Sequence, residues 1–133
     1  MPASPDPVPV ALNPATTALL LFDVVEHIAG RQPICKAKMV PAITSLLARA
    51  RKAGVTIGYG TRTPNMAEWL PEVVPQPGDI KIENQAQDRF YKTELDEILK
   101  AKGITTLILT GWKVSGSVTY TSVGATLRGY TVV

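Results

Sequence analysis

Cysteine and histidine are nearly missing from these 133 residues, with one of each, Cys35 and His27. A single cysteine excludes an intrachain disulfide and fits a reducing compartment, so a cytoplasmic location is expected. One Cys and one His cannot supply a zinc site of the usual nitrogen and sulfur ligands, and no metal or other cofactor is expected. Apolar runs are short. None reaches the ~20 residues that a membrane helix needs, and the amino terminus lacks the basic segment and apolar core of a secretory signal. No membrane partner is expected. Basic runs are lacking too: fourteen Lys and Arg are interspersed with eleven Asp and Glu, so a net charge of +3 forms no nucleic-acid stripe. No Gly-x-Gly-x-x-Gly follows a strand-like run, which leaves a dinucleotide site unsupported. The Gly-x-Ser-x-Gly of serine hydrolases fails as well, because Ser115 and Thr119 stand where glycines would flank Ser117.

What is present reads as one α/β domain. Hydrophobic residues make up 45% and charged residues 19%, which suits a single globular core at this length. Prolines at 2, 5, 7, 9 and 14 predict an extended arm over residues 1–14, leaving residues 15–133 as the domain. Thr17 to Phe22 is a buried strand ended by Asp23, and Val24 to Pro33 is a loop at its carboxyl end. Pro41 opens a helix carrying Ile43, Leu46, Leu47 and Ala50 at helical spacing, and Gly54 stops it. Val55 to Gly60 is the second strand, Asn65 to Pro71 one helical turn, and Ile80 to Ile82 a short edge strand. Thr93 to Asp96 has the form of a capping box, and the helix it starts ends at Gly103. Strands alternating with helices predict a parallel sheet with helices on both faces.

The most informative stretch runs from Ile104 to Val133. An apolar branched run ends at Gly111, a polar turn follows to Ser117, Val118 to Arg128 can be helical, and Gly129 leads into another buried-type strand. Such a unit sets its turn at the carboxyl edge of the sheet, where open α/β sheets take ligands. Asp23 reaches the same edge, and a lysine before Phe90 could join it. A carboxylate beside a hydroxyl can act as its base, and an ammonium can hold that carboxylate charged. The backbone N–H groups of Val114–Ser117 could form an oxyanion hole. Each residue also has a plainer reading. An Asp after a strand closes a loop, and Ser115 or Ser117 caps a helix for about 1 kcal/mol. Phe90 and Trp112 are either core aromatics or walls for a small planar molecule. Cys35 reads as a packing residue and His27 as a loop residue.

Three blocks carry a resemblance. They are Ala18-Leu-Leu-Leu-Phe-Asp23, Asp88-Arg-Phe-Tyr-Lys-Thr-Glu-Leu-Asp-Glu-Ile-Leu-Lys-Ala-Lys-Gly-Ile104, and Leu109-Thr-Gly-Trp-Lys-Val-Ser-Gly-Ser-Val118, followed by Ala125, Gly129 and Tyr130. In order and spacing, from Thr17 to Val133, the chain resembles the isochorismatase-like hydrolases, the cysteine hydrolase superfamily that includes nicotinamidases and carbamoylsarcosine amidases. The resemblance implies a three-layer α/β/α sandwich with a mainly parallel sheet. It also implies hydrolysis of a C–N amide-type or related bond in a small-molecule substrate. It puts Asp23 on the family's Asp and Ser117 where the family keeps its nucleophilic Cys. Lys81, the nearest lysine before Phe90, falls to the family's Lys, with Arg89 a less suited substitute. Phe90, Trp112, Val114 and Ser115 are the expected substrate contacts, and a cis peptide is expected near Lys113–Val114. Family domains continue past the Gly129–Val133 strand, so the chain is expected to stop short of the full domain. That strand would then be an apolar edge favouring a homo-oligomer. Nicotinamidase-type members bind a metal through Asp and histidines, and His27 alone implies none. A serine hydroxyl needs a stronger base than a thiol. The resemblance therefore leaves two outcomes: a weak hydrolase, or a silent relative serving as a binding or assembly module.

Overall fold

The computed structural model describes residues 2–133. Residues 2–13 lie outside any helix or strand and are almost entirely exposed. All six residues of β1 (Thr17–Phe22) are buried, because this strand lies at the centre of the sheet. On one side it pairs with β2 (Thr56–Arg62) and on the other with β4 (Thr106–Gly111). β3 (Ile80–Asn84) extends the sheet beyond β2, and β5 (Thr131–Val132) extends it beyond β4. The order is β3-β2-β1-β4-β5 and every pair is parallel.

Side-chain alternation along β1 divides the core into two. Leu19 and Leu21 pack with Val40, Ile43, Leu47 and Ala50 of α1 (Val40–Ala53), together with Cys35 and Trp69. Ala18, Leu20 and Phe22 pack on the other side with Leu95 and Leu99 of α2 (Leu95–Ala101) and Ala125 of α3 (Thr119–Leu127). This is the expected three-layer α/β/α sandwich. Among the described residues no helix is long and apolar enough to cross a membrane.

Local expectations fail in several places. Helical geometry starts before Pro41, in a wide turn over Cys35–Met39 that runs straight into α1. Only Leu107 of β4 is fully buried and Thr131 of β5 is exposed, so neither is a strand buried on both faces. β2 continues past Gly60 through Thr61 and Arg62, because β3 is longer than expected and pairs Glu83 and Asn84 with them. The Asn65 to Pro71 segment forms two separate 3₁₀ turns, Asn65–Ala67 and Pro71–Val73. The capping box does not close. The Thr93 hydroxyl donates to the Arg89 carbonyl at 2.6 Å and accepts only a long bond from the Leu95 N–H at 3.4 Å, while Asp96 accepts from Lys100 at 2.8 Å and from the Tyr130 hydroxyl at 2.7 Å instead of reaching back to Thr93.

The chain leaves β1 for β2 on one side and later returns to β4 on the other. The carboxyl ends of β1 and β4 therefore form a topological switch point, the crevice where such sheets bind ligands. Gly111 closes β4 there at φ 127, and a methyl group on it would lie 2.1 Å from the Phe22 carbonyl oxygen. Gly54, at φ 79, has open space around it. Gly111→Ala should therefore destabilise the protein by more than about 3 kcal/mol in denaturant melts, and Gly54→Ala by only about 1 kcal/mol.

Asp96 sets an acid limit on stability. Partial burial raises its pKa, but the hydrogen bonds from Lys100 and Tyr130 lower it and prevail. A carboxyl held below its unfolded value stabilises the fold above about pH 4 and loses that contribution as pH falls through the depressed folded value. Wild type should therefore lose stability relative to Asp96→Asn between about pH 5 and pH 2, measured as paired urea melts.

Candidate active site

β1 ends in a sharp turn. Asp23 takes a left-handed conformation at φ 55, which Asp tolerates better than most residues. Its N–H donates to the Gly60 carbonyl at 3.1 Å, and its carboxylate is buried over the sheet edge. Three donors converge on it. Thr61 Oγ1 donates to Oδ1 at 2.8 Å, and Ser117 Oγ and Arg89 Nη2 donate to Oδ2 at 2.7 and 2.8 Å. Ser117 arrives from the other strand of the switch point. After β4 the chain runs extended through Lys113, makes a wide turn over Val114–Val118 and breaks helical geometry at Gly116 before α3 begins. Ser117 is 2% exposed at the foot of that turn.

Arg89 comes from the loop between β3 and α2 and is wholly buried. Gly60 makes room for it, since a Cβ there would sit 3.0 Å from the Arg89 side chain. A buried guanidinium must find acceptors. Nη1 donates to Asn84 Oδ1 at 2.8 Å and to the Ala86 carbonyl at 3.0 Å, and Nη2 donates to Asp23 and, at 2.8 Å, to Ser117 Oγ. Nε has no partner. The Arg89 N–H donates to Thr121 Oγ1 of α3 at 3.1 Å. Gln87 Oε1 lies 3.3 Å from Ser117 Oγ, a second acceptor for the one hydroxyl proton.

These contacts bring Asp23 and Ser117 together, but the cation touching them is Arg89 rather than Lys81. Lys81 is exposed on β3, in register with Tyr59, beside a separate surface depression with Glu83, Lys92, Glu94 and Glu97. The pleat explains this. Ile80 and Ile82 point into the core, so Lys81 and Glu83 point out. The signal for Arg89 was available, because no other cation stands between Lys81 and Lys92. Thr61 and Gln87 lacked any such signal, since each acts only through contacts with residues distant in sequence.

A cavity of about 140 Å³ opens beside the cluster, lined by Asp23, Ile28, Arg62, Gln87, Trp112, Lys113, Gly116 and Ser117. Of the four expected substrate contacts, Trp112 lines it. Phe90 does not: it is buried against α2 and α3, stacked on Tyr130 with centroids 5.8 Å apart. Val114 and Ser115 are exposed and outside the lining, because the kink at Gly116 turns only Gly116 and Ser117 inward. The expected oxyanion hole loses one donor, since the Gly116 N–H is bonded to the Lys113 carbonyl at 3.0 Å. The non-proline cis bond is Trp112–Lys113, one residue before the expected position. His27 pairs with Glu68. Among the described residues no three of His, Cys, Asp and Glu are grouped to hold a metal ion.

The pattern of the Isochorismatase domain matches residues 17–133. Ureidoacrylate amidohydrolase RutB from Caulobacter vibrioides is 28% identical over 159 aligned positions, covering 84% of this chain and 70% of that protein. The protein of the same name from Methylobacterium radiotolerans is 27% identical, with 84% and 61% covered. This chain thus spans roughly two thirds of these relatives. The aligned stretch also exceeds its 133 residues, so the relatives carry internal residues that it lacks. Among solved structures, N-carbamoylsarcosine amidase from Thermoplasma acidophilum superposes with a TM-score of 0.77 at 28% identity, covering 88% of this chain and 79% of the other. An isochorismatase from Pseudomonas putida KT2440 gives 0.80 at 25% identity, with 95% and 71% covered. A cysteine hydrolase from Pseudomonas syringae pv. phaseolicola gives 0.80 at 22% identity, with 98% and 75% covered, a likeness of fold alone. With the matching pattern running through β1, the Arg89 loop and the Ser117 turn, the chain belongs to the isochorismatase domain family of hydrolases.

Proposed function

We propose that this chain hydrolyses a C–N bond of a small amide or ureide, with Ser117 as nucleophile, Asp23 as its base and Arg89 as the cation holding both. One observation carries the reading: Ser117 Oγ donates to Asp23 Oδ2 at 2.7 Å at the edge of a cavity on the switch point. Ser117 Oγ attacks the substrate carbonyl carbon while its proton passes to Asp23. The C–N bond then breaks as that proton moves to the leaving nitrogen, and water releases the acid from the acyl-serine and restores the hydroxyl. A carboxylate is a far weaker base than an alkoxide, so its proton transfer must accompany C–O bond formation. This supports slow turnover compared with a thiolate at the same position. The names of two relatives, a ureidoacrylate amidohydrolase and an N-carbamoylsarcosine amidase, support the C–N bond class.

A second reading, a silent binding module, draws on one contact. The guanidinium of Arg89 donates to both Ser117 Oγ and Asp23 Oδ2, withdrawing charge from the nucleophile and the base together. Activity separates the two readings. In a panel of small amides and ureides, Ser117→Ala should lower kcat by roughly a thousandfold and Asp23→Asn by at least about a hundredfold. Ser117→Cys should keep or raise it. Ser117→Ala turning over like wild type would end the covalent reading, and activity seen only in Ser117→Cys would favour the silent one.

Stability tests the role of Arg89. Arg89→Met leaves a buried carboxylate unpaired and should cost about 3–5 kcal/mol, and adding Asp23→Leu should restore most of it. The check is a comparison of the three proteins in denaturant melts.

A further inference from the structure

Ser117 is hidden although a cavity lies beside it. The residue is 2% exposed, and its hydroxyl is hydrogen-bonded to three side chains, Asp23, Arg89 and Gln87. Asp23 and Arg89 are buried and paired at 2.8 Å, so neither can step aside without stranding a charge. Gln87 differs from both. It is exposed, and it lines the cavity together with Ser117. Its Oε1 lies 3.3 Å from Ser117 Oγ, while the hydroxyl proton is already committed to Asp23 at 2.7 Å. Among the described residues the Gln87 amide has no other hydrogen bond. A long contact without a proton of its own holds weakly.

The backbone under Gln87 is held more firmly. Its carbonyl accepts from Thr121 Oγ1 at 3.4 Å, the Ala86 carbonyl accepts from Arg89 Nη1 at 3.0 Å, and the Asp88 carbonyl accepts from Asn84 Nδ2 at 2.9 Å. The chain on both sides is thus tied to the buried network, and motion at Gln87 is confined to its side chain. Gly116 leaves the space in which that side chain lies, since a Cβ there would sit 3.2 Å from Gln87 Oε1. We infer that Gln87 is a specificity residue of the proposed reaction: the body of its side chain covers Ser117 in the resting site, and only molecules that displace it reach the hydroxyl. The inference rests on the proposed function in taking Ser117 Oγ to be the atom that a substrate must reach. An exposed side chain changes rotamer within nanoseconds, so the cover costs little time. It costs room instead. Because its backbone is fixed, a displaced Gln87 stays at the wall of a cavity of only about 140 Å³ and keeps the opening narrow.

Thiol alkylation tests this without turnover. Ser117→Cys places a thiol under Gln87, and the native Cys35, which is buried, serves as an internal control. Rates are read peptide by peptide in a mass spectrometer across pH. A change in thiol pKa then moves the profile along the pH axis, whereas a change in access alters its plateau. A covered site reacts in proportion to the fraction of time it is open, so adding Gln87→Ala to Ser117→Cys should raise the plateau for iodoacetamide roughly tenfold. The gain should be larger for the bulkier N-ethylmaleimide, and labelling of Cys35 should not change. Gln87→Met, which keeps the length of the side chain, should stay near the rate of Ser117→Cys alone. An unchanged plateau in Gln87→Ala, an equal gain for the two reagents, a rise matched at Cys35, or Gln87→Met reacting as fast as Gln87→Ala would each overturn the inference. Hydrolysis is read separately in the protein with its native serine. Turnover that survives Ser117→Ala would remove the catalytic reading and leave the alkylation result standing. Turnover lost in Ser117→Ala, with an unchanged alkylation plateau in Gln87→Ala, would do the reverse.

Discussion

A carboxylate and a guanidinium, both removed from water, have to be kept in hydrogen bonds, and that demand organises the carboxyl edge of this sheet. Asp23 supplies one charge from the end of β1 and Arg89 the other from the β3–α2 loop, 66 residues away in sequence. Neither could be buried alone, since an unpaired ion in the interior costs several kcal/mol. Each element around the pair gives something to it. β2 contributes Thr61 as a donor and Gly60 as empty space. β3 contributes Asn84 and the loop the Ala86 carbonyl as acceptors, and α3 contributes Thr121 to fix the Arg89 backbone. Ser117 is held in the same network, so the hydroxyl that faces the cavity is positioned by the residues that keep the ion pair satisfied.

This arrangement has a chemical consequence. Arg stays protonated at any working pH, and its planar fork spans two acceptors where a lysine ammonium would act as a single point charge. Asp23 is thus a well-oriented anion with three donors already on it. Its orientation toward Ser117 and its neutralisation by Arg89 are set by the same contacts.

Much of the scaffold was legible in the sequence. Short branched runs bounded by glycine and charge marked β1, β2 and β4; β1 and most of β2 are buried, as continuous apolar sequence implies, whereas β4 is largely half-buried. Chain order then implied a parallel sheet, and the switch point followed from it. Asp23 and Ser117 could be assigned to one edge because Asp23 follows β1 directly and Ser117 lies in the turn between β4 and α3. The failures share a cause. Lys81 looked suitable by distance along the chain, but the pleat of an edge strand turns it to solvent. Arg89 and Phe90 are neighbours with opposite fates, one in the site and one stacked on Tyr130. Thr93 and Asp96 had the letters of a capping box, but Asp96 turns to Lys100 and Tyr130 instead of closing it.

Sequence alone therefore determined what local pattern controls: the central strands, the Gly54 stop of α1, and the placing of Asp23 and the Ser117 turn beyond the carboxyl ends of β1 and β4. Tertiary structure decided which cation meets Asp23 and Ser117 and which aromatic walls the cavity. The physical reason is that hydrophobic periodicity acts over a few residues and can be read in one dimension. The pairing of a buried charge depends on which acceptors the folded chain brings within about 3 Å, and residues as far apart as Asp23, Arg89 and Ser117 meet only after the sheet has formed.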